Sequence, residues 1–212
     1  MRAIILAAGR GRRMKELGDQ LPKCLIKLRG KPLLEYQLNT LRQAGINKIA
    51  LVTGYRDQLF MDYDLTKFHN SRWADTNMVT SLCCAEEWLQ ADTCIISYSD
   101  IFYDVSALMS LIENKDLLAL TYDPNWLKLW TERFGNPLLD AETFRLNSNH
   151  GLSEIGKKPK STDEVEGQYM GLLRFTPRGW TEILRLRKEL SPIERDRIHM
   201  TGILQMVLEA GK

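Results

Sequence analysis

Apolar positions along the chain fall into short unbroken runs separated by helical spacings, the alternation of buried strands and amphipathic helices. Ala3 to Ala8 is such a run, and it ends in Gly9-Arg10-Gly11, as a strand feeding a loop does. From Pro32 to Ala44, residues Leu33, Leu34, Tyr36, Leu38 and Leu41 recur at helical spacing and Gly45 supplies the stop. Lys48 to Thr53 is apolar again, so the chain opens strand, helix, strand, the start of a parallel α/β fold.

The pattern continues with a helix over Met78 to Leu89, preceded by the cap-forming Asp75, Thr76 and Asn77, and a strand over Thr93 to Ser97. Val105 to Leu111 reads as a helix and Asp116 to Tyr122 as a strand. Asp123 to Gly167 is rich in Pro, Gly, Asn and Lys, with short alternating pieces at Thr143 to Leu146 and Leu152 to Ile155. These predict β-arms rather than another crossover unit. Gln168 to Phe175 reads as a returning strand, with closing helices over Gly179 to Leu190 and Thr201 to Glu209. One folding unit is expected, with residues 1–122 as its regular α/β part, 123–175 as a lobe of β-arms and 176–212 as closing helices.

Composition narrows the class. With 44% hydrophobic and 26% charged residues the 212-residue chain has the profile of a globular protein. Its 29 basic and 27 acidic residues leave a net charge of +2, too small to imply nucleic-acid or membrane binding, so any anion site is local. Cys24, Cys83, Cys84 and Cys94 form no CxxC pair and lie at no zinc spacing with His, which reads as reduced core thiols. The N-terminus shows no leader pattern and no apolar run is long enough to span a bilayer, so a cytoplasmic location is expected.

The chemistry concentrates at the start. Leu6, Ala7, Ala8, Gly9 and Gly11 form a small-residue loop whose backbone N–H groups can approach phosphate oxygens. Arg13 and Lys23 supply charge beside it, in a segment that continues through Pro22-Lys23 to Gly30-Lys31-Pro32. The glycines alone fit neither a Walker loop nor the full dinucleotide fingerprint, which argues against an oxidoreductase. Arg10 and Arg12 read as solvated. Asp100 lies just past the strand ending at Ser97, where open α/β sheets place their ligands. A carboxylate there suits Mg²⁺, which takes one or two protein carboxylates together with phosphates and water. Asp104 reads as a helix cap.

In the order small-residue loop with Gly-x-x-Arg, Pro-Lys, Gly-Lys-Pro, the chain resembles the nucleotidyltransferases of the sugar-1-phosphate and phosphocholine type. The matching residues are Gly9, Gly11, Arg13, Pro22, Lys23, Gly30, Lys31 and Pro32. The resemblance implies a Rossmann-like α/β fold of the GT-A type, a mixed, mostly parallel sheet flanked by helices with a small β-arm acceptor lobe. It implies that Arg13 and Lys23 hold the triphosphate and that Asp100 binds Mg²⁺. Trp73 to Leu82 is similar to the Asn-x-x-x-Ser helix start of the phosphocholine cytidylyltransferase branch, which favours CTP and places Asn77 and Ser81 beside the nucleotide. Asn77 as a plain helix cap is a compatible reading.

The resemblance extends through Asn136 to Arg145, Glu154 to Pro159 and Glu164 to Leu172, and places Glu166 and Tyr169 on a strand folded over the acceptor. Trp126, Trp130 and Tyr169 are candidates for an aromatic wall against a cationic head group, with lobe packing the commoner role for the two tryptophans. Lys157, Lys158 and Lys160 are candidates for the acceptor phosphate or for solvation. The family's usual strand with Glu-x-Asp after a helix like Met200 to Gly211 is not in the sequence, so the expectation is either a truncated chain or a metal held by Asp100 with fewer protein ligands. The implied reaction joins CTP to a small phosphorylated or phosphonate acceptor and releases pyrophosphate. The rivals are a sugar-1-phosphate nucleotidyltransferase using another base and a weakly catalytic nucleotide-binding module. A phosphate nucleophile, with a second pKa near 6, needs no protein base, so His69, His150 and His199 are expected to be structural or exposed.

Overall fold

The computed structural model describes residues 1–11 and 21–211. Among these the strands are β1 (Arg2–Leu6), β2 (Lys27–Leu28), β3 (Lys31–Pro32), β4 (Ile49–Thr53), β5 (Thr66–His69), β6 (Cys94–Tyr98), β7 (Leu118–Asp123), β8 (Phe144–Leu146), β9 (Leu152–Ile155) and β10 (Gln168–Phe175). The helices are α1 (Leu33–Gln43), α2 (Met78–Cys83), α3 (Glu86–Ala91), α4 (Val105–Glu113), α5 (Trp126–Phe134), α6 (Pro177–Glu189), α7 (Pro192–Arg197) and α8 (Met200–Glu209).

A six-stranded sheet in the order β5-β4-β1-β6-β10-β7 forms the centre. β1 runs parallel to β4 and β6, and β4 parallel to β5, while β10 is antiparallel to both of its neighbours. The inner strands β1, β4 and β6 are mostly apolar and buried at nearly every residue because both faces are covered. Side-chain alternation then divides the core. Ala3, Ile5, Leu51 and Ile95 face α1 and α4 through Leu34, Leu38, Leu41 and Leu108. Ile4, Leu6, Ala50, Val52 and Ile96 face the other way, onto Val79, Leu82, Trp180, Ile183 and Ile203.

Three departures from the pattern-based expectation have local causes. The helix expected over Met78 to Leu89 is two, α2 and α3, because Cys84 N–H bonds to Ser81 O and Ala85 N–H to Leu82 O, tightening one turn. The lobe between Asp123 and Gly167 contains the β8–β9 hairpin but also α5, whose Trp126, Trp130 and Phe134 recur every fourth residue and which stops at Gly135, with φ of 72°. The short α7, closed by a Ser191–Glu194 capping box, precedes the last helix. No described helix is long and apolar enough to cross a membrane.

In β10 the register with β7 shifts between Tyr169 and Leu173, and Gly171 has φ of 76°. A Cβ at Gly171 would lie 2.7 Å from the Tyr98 ring, so the bulge brings β10 close over the end of β6.

Candidate nucleotide and acceptor site

Four stretches of chain meet at the carboxyl ends of β1, β4 and β6. They enclose a cleft of about 240 Å³ lined by Leu6, Ala8, Gly9 and Gly11 from the loop after β1, by Lys23, by Trp73, Thr76, Asn77, Met78 and Ser81, and by Tyr98, Ser99 and Asp100. A cavity of about 500 Å³ lies elsewhere, between β7, the β8–β9 hairpin, α6 and α8. Its lining is mostly leucine, alanine, valine and aromatic, with no Lys or Arg among the residues lining it. Size therefore does not decide; the smaller cleft holds the groups that can engage a phosphate.

At the cleft's charged end, Lys23 Nζ lies 2.6 Å from Asp100 Oδ2. Lys23 opens a 3₁₀ turn, Lys23–Leu25, that is anchored by the fully buried Cys24. Gly11 has φ of 70°, and a Cβ there would lie 2.8 Å from the Lys23 side chain, so the lysine stem crosses the loop where only glycine leaves room. At Gly9 a Cβ would meet nothing within 4 Å, consistent with a backbone open to a ligand. Arg13, the other expected triphosphate ligand, lies outside the described residues. Ala7 does not line the cleft: its neighbours Leu6 and Ala8 take that face, its side chain joins the opposite core half, and its N–H is spent on Val52 O at 2.9 Å.

Asn77 both lines the cleft and caps α2. Its side-chain oxygen accepts from Met78 N–H at 2.8 Å, and its amide donates to Arg197 O at 3.1 Å and lies 3.0 Å from His199 Nδ1. Thr80 donates to Arg195 O at 2.9 Å, and Arg72 pairs with Asp196, so residues 195–199 fasten this wall from behind. Ser81 is buried rather than solvated; it accepts from the buried Asn70 amide at 2.9 Å.

Tyr98, two residues before Asp100, meets the Tyr169 ring edge-on at 5.8 Å. Burial raises both phenol pKa values, so both are neutral hydroxyls. Tyr169 thus adjoins the cleft through Tyr98. Glu166 is turned to another task, accepting from Leu146 N–H and tying the hairpin to the strand that follows.

Trp126 and Trp130, candidates for an aromatic wall, are not among the residues that line the cleft. Trp126 is 3% exposed and its indole N–H donates to Val165 O at 3.0 Å; Trp130 packs edge-on against it at 6.4 Å. Four-residue spacing on α5 turns both rings into the lobe. Lys157 pairs with Glu154, and Lys158 donates to Leu138 O. Asp104 occupies the N-cap position of α4 but makes no side-chain capping bond. Burial pushes the Cys24 thiol up to about 12, so it is not a nucleophile despite lying next to Lys23.

Trp73, Met78 and Tyr98 line the cleft without having been singled out from sequence. Tyr98 was within reach of the strand-end rule that selected Asp100. Nothing local distinguishes Trp73 from a packing tryptophan.

Comparison with known proteins places these features. The profile described as a MobA-like NTP transferase domain matches residues 3–161. A CTP:phosphoglutamine cytidylyltransferase of Campylobacter jejuni is 37% identical across 99% of this chain and 88% of its own length. A choline-phosphate cytidylyltransferase of Streptococcus pneumoniae is 40% identical over 42% of this chain and 41% of its own. Among solved structures, the inositol-1-phosphate CTP transferase from T. maritima superposes with a TM-score of 0.75 over 99% of this chain and 82% of its own, at 20% identity, a likeness of fold. The expected GT-A-like nucleotidyltransferase fold is therefore the observed one. Matched to the family profile from residue 3 to residue 161, and to one relative along 99% of its length, the chain belongs to the MobA-like NTP transferase family.

Proposed function

We propose that this protein transfers CMP from CTP to a small phosphorylated or phosphonate acceptor and releases pyrophosphate. The observation that carries the proposal is the Lys23–Asp100 pair set beside the small-residue loop in one cleft. The relatives named for CTP and for phosphoglutamine or choline phosphate support both the nucleotide and the acceptor class.

In this reading an acceptor phosphate oxygen attacks the α-phosphorus of CTP. The α–β bridging bond breaks and the electron pair leaves with pyrophosphate. The acceptor is already ionised at neutral pH, so the protein's task is to align two anions and stabilise transferred charge. Lys23, and Arg13 from the loop, would neutralise the triphosphate, with the backbone of Gly9 and Gly11 against its oxygens. Neutral Tyr98 and Tyr169 would border the acceptor.

Asp100 fits the role of a Mg²⁺ ligand. It is a hard oxygen donor in the cleft and already lies against a cation, the Lys23 ammonium. A site resting on one carboxylate suits Mg²⁺, which completes its shell with phosphates and water. Bound there, the ion would draw off negative charge from the α-phosphate and the leaving pyrophosphate.

The test is pyrophosphate release with each of four nucleoside triphosphates against phosphocholine, 2-aminoethylphosphonate, phosphoglutamine and a set of sugar 1-phosphates. Release that depends on CTP and on a non-sugar acceptor is expected. Faster release with another base and a sugar 1-phosphate would overturn the assignment.

A further inference from the structure

The cleft is electrically uneven. Lys23 meets the loop at Gly11 and pairs with Asp100, whereas Trp73 meets the same loop at its start, beside Ala8. The three steps from Ala8 to Gly11 span at most about 10 Å of extended chain. A nucleoside triphosphate lying along this loop with its phosphates at Lys23 would bring its base toward Trp73.

Trp73 is closely seated. A Cβ at Gly54 would lie 2.6 Å from Trp73 Cβ and 2.8 Å from Ala8 O, so the side chain rests directly on backbone at the end of β4. Tyr55 backs the indole at 5.2 Å with the rings inclined at 59°, and the Arg56 guanidinium lies 5.6 Å from the Tyr55 ring centre. The Trp73 backbone N–H donates to Asn70 O at 3.2 Å, and the buried Asn70 side-chain amide donates to Thr76 and Ser81 at 2.9 Å each. The residue is thus fixed by its backbone, by the close approach at Gly54 and by the Tyr55 ring, yet it remains half-buried and lines the cleft.

We infer that Trp73 is the stacking platform for the nucleobase, fixing one end of the nucleotide while Lys23 fixes the other; this rests on the nucleotidyl-transfer reading above. A base binds an aromatic face through its own π-face, which every base has, so Trp73 contributes affinity without choosing among bases. Its contribution to turnover is positional. A base free to swing would let the α-phosphorus wander from the acceptor, and loss of alignment costs rate even where no reacting atom is touched.

Calorimetric titration of the full chain with CTP, UTP and inorganic tripolyphosphate separates stacking from scaffolding. Trp73→Ala is expected to weaken CTP and UTP alike by about tenfold or more while tripolyphosphate changes by less than about twofold; Trp73→Phe, which keeps a ring, should retain most nucleotide affinity. Tripolyphosphate binding also reports whether each variant is folded. A Trp73→Ala protein that loses both kinds of ligand equally, or that keeps the wild-type preference for CTP over tripolyphosphate, overturns the inference and leaves the functional proposal standing. A wild-type protein that binds CTP no better than tripolyphosphate overturns both.

Discussion

The Lys23 ammonium lies 2.6 Å from the Asp100 carboxylate although 77 positions separate them in the chain. Both side chains are partly exposed, so the pair adds little to stability. In the reaction proposed above it would hold a cation and a carboxylate ready beside the small-residue loop. Lys23→Ala should therefore melt near the wild-type temperature yet release pyrophosphate at least about 100-fold more slowly, the scale seen when one charge-stabilising donor is removed from a preorganised site. Near-normal turnover would remove Lys23 from the reaction.

Asp100→Asn keeps the shape of the side chain and removes its charge. The Mg²⁺ concentration needed for half-maximal pyrophosphate release should rise, with maximal turnover falling as well. A metal titration superimposable on the wild-type one would put the ion elsewhere.

Gly11→Ala combines two penalties, a left-handed backbone at φ of 70° and a Cβ placed 2.8 Å from the Lys23 stem. Gly30→Ala carries the first only, since φ is 82° and nothing lies within 4 Å of the added carbon. Each should cost roughly 1–3 kcal/mol in urea unfolding. Only Gly11→Ala should also slow turnover, by displacing the lysine; equal activity in the two variants would show that Lys23 tolerates the shift.

Burial raises the Cys24 and Cys94 thiols from 9.0 to about 12 and Cys83 to about 11. The folded protein holds these protons more tightly than the unfolded chain does. The stability this represents is complete below pH 9 and is lost as pH climbs from there through the folded-state values. The buried Tyr103 phenol, pushed up to about 12, acts in the same direction. Urea midpoints measured from pH 8 to 10.5 should fall above pH 9, and thiol reagents should label Cys24 and Cys94 only after unfolding. A flat midpoint or rapid native labelling would contradict the burial argument.

Asn77→Ala deletes a helix cap and two ties to the chain's last helices. A loss of about 1 kcal/mol follows from the cap alone. CTP affinity should drop with it, since the same residue lines the cleft. A variant with unchanged melting temperature would mean that the cap is replaced by water.

Where burial on both faces demanded it, the fold was open to reading from sequence: β1, β4 and β6 are built around the apolar runs Ala3 to Leu6, Ile49 to Val52 and Cys94 to Ile96, and β10 was bounded correctly at Gln168 and Phe175. β5 was not, because Thr66–His69 is an edge strand with only Phe68 directed inward, too little to set a period. α7 buries none of its residues, so only its end signals, the Ser191–Glu194 capping box and Pro192 at the first position, were present. In the site, Lys23 and Asp100 were legible one at a time, as residue types suited to phosphate and metal. Their pairing was not, because it depends on how a turn after the loop docks across the end of β6. The two tryptophans of α5 left both roles open for a related reason: an aromatic residue reads alike whether it faces a ligand or, as Trp126 does, the Val165 carbonyl.

The fastening of Asn77 to Arg197 and His199 crosses 120 and 122 positions of chain. On the ribosome, at roughly 5–20 residues per second, that separation is a delay of roughly 6–24 s between the making of the cleft wall and the making of its brace. During that interval the sheet strands β1, β4 and β6 can already pair, but the Asn77 wall stands without its rear support. The Asn77 side of the cleft is therefore braced only well after the loop following β1 and the end of β6 have been made.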